Sequence, residues 1–330
     1  MTLTIYDIAK EAGVSPSSVS RALNNKPGVN EKTRQRILSL LRQHDFVPNA
    51  IARGLVNKAS KTVGIILFDL RISHHTDGVY YIQNELAKHG YCSLIINTGT
   101  KKDDKVHAIR ELAERMVDGL IIMGAAFQCV EIKEAIEMYL RDTPVVMVNG
   151  TMDLPNLCGI INDEQSATSD CVNMLFNLGR RKIGLVYDNG NNPSVGAKKR
   201  GFEMAVEDCG IEAVFSEPAE NTYQGGYDEA AKMISDHPDL DGLVCTSDLM
   251  AAGAIHALKN RSVRVPEDVS VIGMNNTQYA EACYPTITSL DTRRTQASKL
   301  AAKTLIKAID SGIIEKDIVL DTEIVIREST

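Results

Sequence analysis

From Lys61 onward, short apolar runs alternate with longer stretches whose apolar residues recur at helical spacing. Strands that alternate with helices form parallel sheets, because each parallel strand needs a long crossover to return to the same edge. The predicted strands are Val63–Phe68, Ser93–Asn97, Gly119–Met123, Val145–Asn149, Lys182–Val186, Leu243–Thr246, Val269–Met274 and Ile318–Val325. The predicted helices include Gly78–His89, Val106–Met116, Gln165–Leu178, Lys198–Cys209, Gly225–Ser235 and Met250–Lys259. The pattern therefore predicts two doubly wound α/β lobes, with a ligand site at the carboxyl ends of the strands.

The length of 330 residues suits two or three domains, and a hydrophobic content of 44% is enough for their cores. No run approaches the ~20 apolar residues that a membrane helix needs. The N-terminal residues lack the cationic and apolar segments of a signal peptide, so we expect a cytoplasmic protein without a membrane partner. Seven scattered cysteines without a CxxC pair indicate free thiols in a reducing compartment.

The net charge of −7 is unevenly distributed along the chain. Residues 1–60 carry nine Lys and Arg against four Asp and Glu, so this segment is basic and the remainder is acidic. Attraction to phosphate needs a local basic surface, so the N-terminal segment is suited to nucleic acid although the whole chain is an anion.

The first fifty residues carry start and stop signals for three short helices. Thr4 and Asp7 have the spacing of a capping box, and Gly13 can take the left-handed conformation that ends a helix. Ser15 is a second N-cap with Pro16 at the first helical position, and a third helix begins near Asn30. Two short helices separated by a tight turn predict a helix-turn-helix, although periodicity by itself also fits an ordinary three-helix packing unit.

In a helix-turn-helix the second helix enters the major groove of DNA. An arginine on that helix can bond a guanine edge with two hydrogen bonds, and Ser or Asn can reach bases or phosphates. The outward face of the predicted second helix carries Pro16, Ser17, Ser18, Ser20, Arg21 and Asn24.

The segment TIYDIAKEAGVSPSSVSRALN at 4–24, followed by VNEKTR at 29–34, resembles the head of the LacI/GalR family of transcription regulators almost position by position. The resemblance implies base reading by Pro16, Ser17 and Arg21. It also implies support or phosphate contact from Tyr6, Ser15, Ser20, Asn24 and Asn30.

Residues 46–56, FVPNAIARGLV, resemble the hinge of the same family. The resemblance implies DNA contacts from Asn49, Ala52 and Leu55, with Leu55 wedged between central base pairs in the minor groove. The alternative for Leu55 is a linker residue buried against the body. A helix of about two turns is unstable in water, so the segment could fold when it meets DNA, and Gly54 lowers its helix stability by about 1 kcal/mol.

The remainder resembles the periplasmic-binding-protein-like core of the family, in phrases such as KTVGII at 61–66, TSDLMAAG at 246–253 and VPEDVSVIG at 265–273. This implies a head at 1–47, a hinge at 48–60 and an effector-binding and dimerisation domain at 61–330. Its two lobes would be 61–161 with 290–323, and 162–289 with 324–330, with crossovers near 161, 290 and 323. We expect a homodimer on a palindromic operator, because the tail lacks the Leu-rich helix of the tetrameric members.

Matching to the family also predicts the effector site, at Arg71, His74, His75, Asn149, Lys198, Tyr223, Ser247, Asp248, Asn275 and Arg294. Asn149 and Asn275 stand where sugar-binding relatives often have Asp, and Arg294 stands where an apolar residue is common. Tyr223 is expected to stack on a sugar face, while Arg71 and the two histidines are expected in the loop after the first strand. This set is more cationic than a neutral-sugar site, so a sugar phosphate or sugar acid and a neutral sugar both stay open.

No cofactor, metal or catalytic residue is predicted. The adjacent histidines lack the spacing of a metal site, and the nucleophile, nucleotide-binding and zinc-protease motifs are absent from the sequence. We expect a DNA-binding regulator, most simply a repressor of carbohydrate-utilisation genes, rather than an enzyme. The alternative is a solute-binding or sugar-processing protein of the same core fold, and the DNA-reading head favours the regulator.

Overall fold

The structure is a computed structural model that describes residues 4–23, 25–44, 46, 60–190 and 192–330. The chain divides into two compact units, Met1–Ser60 and Lys61–Thr330, which we call the head and the body. Among the described residues, no helix combines the length and the apolar character that crossing a bilayer requires.

The described part of the head contains three helices, α1 (Ile5–Ala12), α2 (Pro16–Leu23) and α3 (Glu31–Gln43). The capping box forms as predicted, because Thr4 Oγ1 accepts from the backbone of Asp7 while the Asp7 carboxylate accepts from the Thr4 N–H. The apolar stripes of the three helices meet in one small core, formed by Ile8, Ala9, Ala12, Val19, Ala22, Ile37 and Leu41.

The body alternates strands and helices. The strands are β1 (Thr62–Leu67), β2 (Cys92–Asn97), β3 (Gly119–Met123), β4 (Val145–Val148), β5 (Leu157–Ile161), β6 (Lys182–Val186), β7 (Glu212–Phe215), β8 (Gly242–Cys245), β9 (Ser270–Met274), β10 (Thr288–Asp291), β11 (Ile318–Val319) and β12 (Glu323–Val325). The helices are α4 (Ser73–Lys88), α5 (Lys102–Glu114), α6 (Val130–Tyr139), α7 (Glu164–Asn177), α8 (Pro193–Cys209), α9 (Tyr223–Asp236), α10 (Asp248–Asn260), α11 (Gln278–Ala282) and α12 (Arg294–Ser311).

These strands form two sheets, each the centre of one lobe. Sheet 1 has the order β11-β5-β4-β3-β1-β2 and all its pairs are parallel. Sheet 2 has the order β12-β10-β9-β8-β6-β7, and β12 is antiparallel to β10. Helices α4 and α12 cover one face of sheet 1, α5 and α6 the other, while α9 and α10 face α7 and α8 across sheet 2. The prediction of two doubly wound lobes is confirmed.

The chain passes between the lobes three times. Strand β5 of sheet 1 ends at Ile161, and β10 of sheet 2 ends at Asp291. Helix α12 then returns to the first lobe, where it packs on α4, and β11 joins sheet 1 before β12 joins sheet 2. The carboxyl ends of both parallel sheets therefore border the crossings.

The prediction of one continuous strand over 318–325 is wrong. The first two residues pair with β5 of sheet 1, and residues 323–325 pair with β10 of sheet 2. Residues 320–322 carry the third crossing, and Leu320 N–H still donates to the Ile161 carbonyl. The polar residues Asp321, Thr322 and Glu323 separate two apolar pairs, and these pairs belong to different sheets.

His74 and His75 lie in the first turn of α4, not in a loop. The predicted helix began later, at Gly78, so its first five residues were missed. The structure shows why glycine stands there: a Cβ atom at Gly78 would collide with Met123 and lie 3.0 Å from Ser298 Oγ. Glycine at this position therefore leaves room for Met123 of β3 and Ser298 of α12 beside the helix.

Helices α9 and α10 touch at their backbones, which yields a stability prediction. A Cβ atom at Gly253 would overlap the Tyr223 carbonyl oxygen, which is backbone and cannot move aside. Gly253→Ala should therefore lower the free energy of unfolding by about 1–3 kcal/mol. Gly196→Ala on α8 is the matched control, since its Cβ would meet just the flexible Arg200 guanidinium at 3.2 Å. Urea unfolding measures both, and equal stabilities for the two variants would contradict the backbone contact.

Candidate functional sites

Helix α2 has one buried and one polar face. Val19 and Ala22 are buried in the head core, whereas Ser17 and Arg21 are exposed. A helix fixed on one side by its core and polar on the other is the geometry that the recognition helix of a helix-turn-helix needs.

The amino end of α2 carries a cluster of hydroxyls. Ser15 Oγ lies 2.8 Å from Ser17 Oγ and 3.0 Å from Ser18 Oγ, and it accepts from the Ser18 N–H at 3.2 Å. Hydroxyls both donate and accept, so this cluster can bond base edges or phosphates. Pro16 and Ser20 on the same helix are partly exposed.

Two further predicted DNA contacts lie outside α2. The Tyr6 side chain on α1 is 70% exposed, so it is available to a partner. Asn30 caps α3, and its Oδ1 already accepts from the Thr33 N–H at 2.8 Å. The predictions for Asn24, Asn49, Ala52 and Leu55 lie outside the described residues.

In the body, a central cavity of about 80 Å³ lies between the lobes. It is bordered by the loop after β1, the amino ends of α4, α8 and α12, and the ends of β4 and β9. The structure brings six of the ten predicted effector residues together around it: His74, His75, Asn149, Lys198, Asn275 and Arg294.

The lining also contains polar residues that sequence reasoning missed. Asp188 follows β6, Thr246 follows β8, and the others precede or begin helices: Asn192, Ser194 and Asn221. Asp188 Oδ1 accepts from the Gly190 N–H at 2.9 Å, which holds the carboxylate at the cavity edge. Examining the last residue of every predicted strand and the two residues after it would have found Asp188 and Thr246.

A cavity of about 300 Å³ opens beside the central one and shares its His74 and Asn275 lining. Arg71, Ser247 and Asp248 line this outer cavity. The Arg71 side chain is largely exposed and pairs with Asp69 at 2.7 Å.

Ser247 and Asp248 have internal partners. Ser247 caps α10 by accepting from the Met250 N–H. The Asp248 carboxylate accepts from the N–H and hydroxyl of Thr277, at 2.6 and 2.9 Å, and from the Ser289 hydroxyl at 2.5 Å. These bonds join the segments that follow β8 and β9 to Ser289 within β10, so Asp248 shapes the cleft from inside.

The placement of Tyr223 corrects the expectation of a sugar-stacking ring. Its hydroxyl forms a hydrogen bond with His256 Nδ1 of α10, and neither the central nor the outer cavity has Tyr223 in its lining. The packing of α9 against α10 directs the ring toward His256, whereas Asn221, two residues earlier, lines the cleft.

A hydrogen-bonded contact between Arg294 and Asn275 joins the two lobes. Arg294 begins α12, which packs in the first lobe, and its Nε and Nη2 donate to Asn275 Oδ1 of the second lobe at 3.0 and 2.7 Å. No Asp or Glu among the described residues lies within 4 Å of this guanidinium, and burial lowers the Arg294 pKa. A cation that is bonded to a neutral amide retains the capacity to bind an anion.

The two imidazoles are neutral at pH 7. Burial, with the nearby charge of Arg294, holds the pKa of His74 well below its ordinary value. Burial likewise lowers the pKa of His75 to about 4, against the opposing hydrogen bond between Nδ1 and the Asp69 carbonyl at 2.9 Å. A neutral His75 that donates from Nδ1 fixes the loop after β1 to α4.

Asn149 and Asn275 both have a left-handed backbone, with φ of 57° and 91°. Asn tolerates this conformation better than most side chains. The two asparagines therefore have a backbone reason to end β4 and β9, in addition to any contact with a ligand.

Comparison with known proteins gives two family matches. Residues 4–49 match the family described as bacterial regulatory proteins, lacI family, and residues 172–330 match the periplasmic binding protein-like domain. The HTH-type transcriptional regulator RegA of Clostridium saccharobutylicum is 31% identical over 337 residues, which cover 100% of both chains.

Two solved structures share the fold. The Lac repressor dimer bound to operator and an anti-inducer matches with a TM-score of 0.90 at 21% identity, over 100% of this chain and 99% of that one. A regulator from Enterococcus faecium with bound ribose matches with a TM-score of 0.73 at 23% identity, over 82% of this chain and 98% of that one.

The buried His75 yields a pH prediction. Its folded pKa of about 4 is below the ordinary 6.5, so its contribution to stability is complete above pH 6.5 and is lost as the pH falls toward 4. Burial raises the Asp248 pKa from 3.8 to about 6, so Asp248 has the opposite effect and stabilises the fold as the pH falls from 6 toward 4. The two effects partly cancel in the wild type.

His75→Asn retains a donor for the Asp69 carbonyl but does not titrate. The difference in unfolding free energy between this variant and the wild type should therefore change by about 2 kcal/mol in favour of the variant when the pH falls from about 7 to about 4.5. Urea unfolding at the two pH values measures this difference. The exposed His107→Gln variant controls for the loss of one imidazole, and a wild-type pH dependence in His75→Asn would show that His75 is not buried neutral.

Proposed function

Since this chain belongs to the LacI family of DNA-binding transcription regulators, we propose that it is a repressor controlled by a small anionic carbohydrate that binds in the interlobe cleft. Residues 1–47 of the head read DNA, the hinge at 48–60 follows, and the body at 61–330 binds the effector and a second copy. Pro16, Ser17 and Arg21 contact bases, and the remaining predicted head residues support them or contact phosphate. Leu55 of the hinge wedges between central base pairs in the minor groove.

The proposed class of effector rests on the charged groups that line the central cavity. Arg294 and Lys198 supply positive charge, and the neutral imidazole of His74 adds a group that can donate or accept a hydrogen bond. A phosphate or carboxylate can accept two hydrogen bonds from one guanidinium. Asp188 and the asparagine amides are suited to sugar hydroxyls, which both donate and accept. The ribose in the Enterococcus faecium structure supports the proposal that this fold accommodates a sugar.

The regulator acts as a homodimer, and two recognition helices bind half-sites about one helical turn apart. An anion that takes the donors of Arg294 from Asn275 changes the bonding between the lobes. Effector binding thus shifts the population between states in which the hinge favours or disfavours the operator. The largest shift that a ligand can cause in this equilibrium is set by the difference between its affinities for the two states.

A selection of genomic fragments by the purified protein tests the function. It is run without additives and with a panel of neutral sugars, sugar phosphates and sugar acids. Enrichment of a palindrome that an anionic sugar abolishes or strengthens is the expected result. If no fragment is enriched under any condition, the chain does not act as a specific DNA-binding regulator, and the solute-binding alternative gains support.

Arg21→Ala should weaken binding to the selected operator by about 1–3 kcal/mol and relax the sequence preference at one base position, because a bidentate contact to guanine is lost. Fluorescence anisotropy at fixed salt measures the affinity. Arg42→Ala removes the same charge from the exposed surface of α3 and is the matched control. If both variants lose the same affinity for operator and for random DNA, Arg21 contributes charge and does not read a base.

Arg294→Met should weaken the response of operator binding to the anionic effector about tenfold to a hundredfold, because a charge-assisted hydrogen bond is lost. Because Met also removes the bonds to Asn275, operator affinity without effector is measured for each variant, and the response is expressed relative to that value. Arg293→Met is the control, since the neighbouring Arg293 pairs with Glu323 and lies near Asp291. An unchanged effector response in Arg294→Met would contradict the anion site.

A further inference from the structure

Glu164 and Lys198 form a buried ion pair within the second lobe. Glu164 begins α7 and is 6% exposed, and Lys198 on α8 is 5% exposed. Lys198 Nζ lies 3.5 Å from Glu164 Oε1. This is longer than the usual 2.7–2.9 Å of a charged N–H···O bond.

The Glu164 carboxylate is incompletely satisfied. Its Oε1 is buried and has no hydrogen-bond partner among the described residues. Burial by itself would raise the pKa of Glu164, but Lys198, with smaller effects of Ser194 and Arg294, holds the pKa below its ordinary value, so the group is an anion. A buried charged acceptor without a donor is costly, so a ligand group that donates to it would be stabilised.

Both side chains reach the interlobe space. Lys198 lines the central cavity, and Glu164 lines a neighbouring cavity of about 270 Å³. The two cavities share Asn149 and Ser194 in their linings, so they adjoin. The donor Lys198 therefore lines the same cavity as Arg294, and the acceptor Glu164 lines the cavity that adjoins it.

We infer that the Glu164–Lys198 pair is a second recognition subsite, which binds two neighbouring hydroxyls of the effector. One hydroxyl donates its hydrogen to Glu164, and the adjacent oxygen accepts from Lys198. The inference rests on the proposed function, and it narrows the effector to a phosphorylated or carboxylated sugar with a free diol. Inorganic phosphate and acetate would fill the Arg294 site without using this subsite.

The pair could instead just hold α7 against α8. A structural pair affects the unfolding free energy and the affinity for every ligand together. A recognition subsite changes the preference between a sugar anion and a simple anion that lacks hydroxyls. The ratio of these two affinities separates the roles, because a general loss of folded protein cancels in it.

The experiment is isothermal titration of the full-length chain with pentose and hexose phosphates, aldonates, uronates, their neutral parents, inorganic phosphate and acetate. The affinity for the sugar anion that binds most tightly is then compared with the affinity for the matching simple anion, which is inorganic phosphate for a sugar phosphate and acetate for a sugar acid. Glu164→Gln should lower this affinity ratio about tenfold to a hundredfold, because a charge-assisted hydrogen bond to a hydroxyl is lost. Lys198→Met should lower the same ratio, and the deoxy analogue of the sugar anion should bind wild type and Glu164→Gln equally.

Asp170→Asn is the matched control, because Asp170 is an exposed carboxylate on the same helix. It should leave the ratio unchanged, and thermal unfolding confirms that each variant is folded. If Glu164→Gln changes the affinity for neither the sugar anion nor the simple anion, or changes both affinities by the same factor, the proposed diol subsite is wrong. The anion site is still supported in that case if Arg294→Met weakens the binding of both ligands. If neutral parents bind as tightly as their anions, or no panel member binds, the proposed effector class fails as well.

Discussion

The three crossings between two parallel sheets are the constraint on which the rest of the body depends. In a parallel sheet all carboxyl ends lie at one edge, so residues distant in sequence converge there. His74 comes from the first lobe, Lys198 from the second, and Arg294 from the helix that follows the second crossing. Without the return of α12 to the first lobe, Arg294 could not donate to Asn275 across the cleft.

Charges in this cleft are held in an arrangement that a simple packed core would avoid. Arg294 is bonded to a neutral amide, and the buried Glu164 Oε1 has no hydrogen bond, with Lys198 Nζ 3.5 Å away. Burial keeps both imidazoles neutral, which limits the mutual repulsion of the cationic groups. A group whose burial costs free energy because it lacks a full set of partners is the kind that a complementary ligand can stabilise most. This is why we assign recognition to these side chains rather than to well-satisfied ones such as Asp248.

The head and the body divide the chemistry between them. The head is basic and holds its polar helix face on a small apolar core, whereas the body is acidic and places Arg294 and Lys198 at its central cavity. DNA and a small anion are both attracted by positive charge, but they are too different in size to share a surface. Separate folding units let each surface suit one partner, and the dimer proposed here would couple them through the hinge.

The sequence determined the helix caps, the head core and the alternation of strands and helices, because these follow from neighbours three or four residues apart. It also identified most of the cleft, since six of the ten predicted effector residues line the central cavity. The tertiary structure decided what depends on contacts between distant segments. Packing of α10 turned Tyr223 toward His256, Met123 of β3 and Ser298 of α12 occupy the space beside Gly78 in α4, and two different sheets divided residues 318–325. The buried Glu164 Oε1 without a hydrogen bond is likewise a feature of the tertiary structure alone. Its burial and its missing hydrogen bond depend on residues that surround it in the fold and not on its neighbours in sequence.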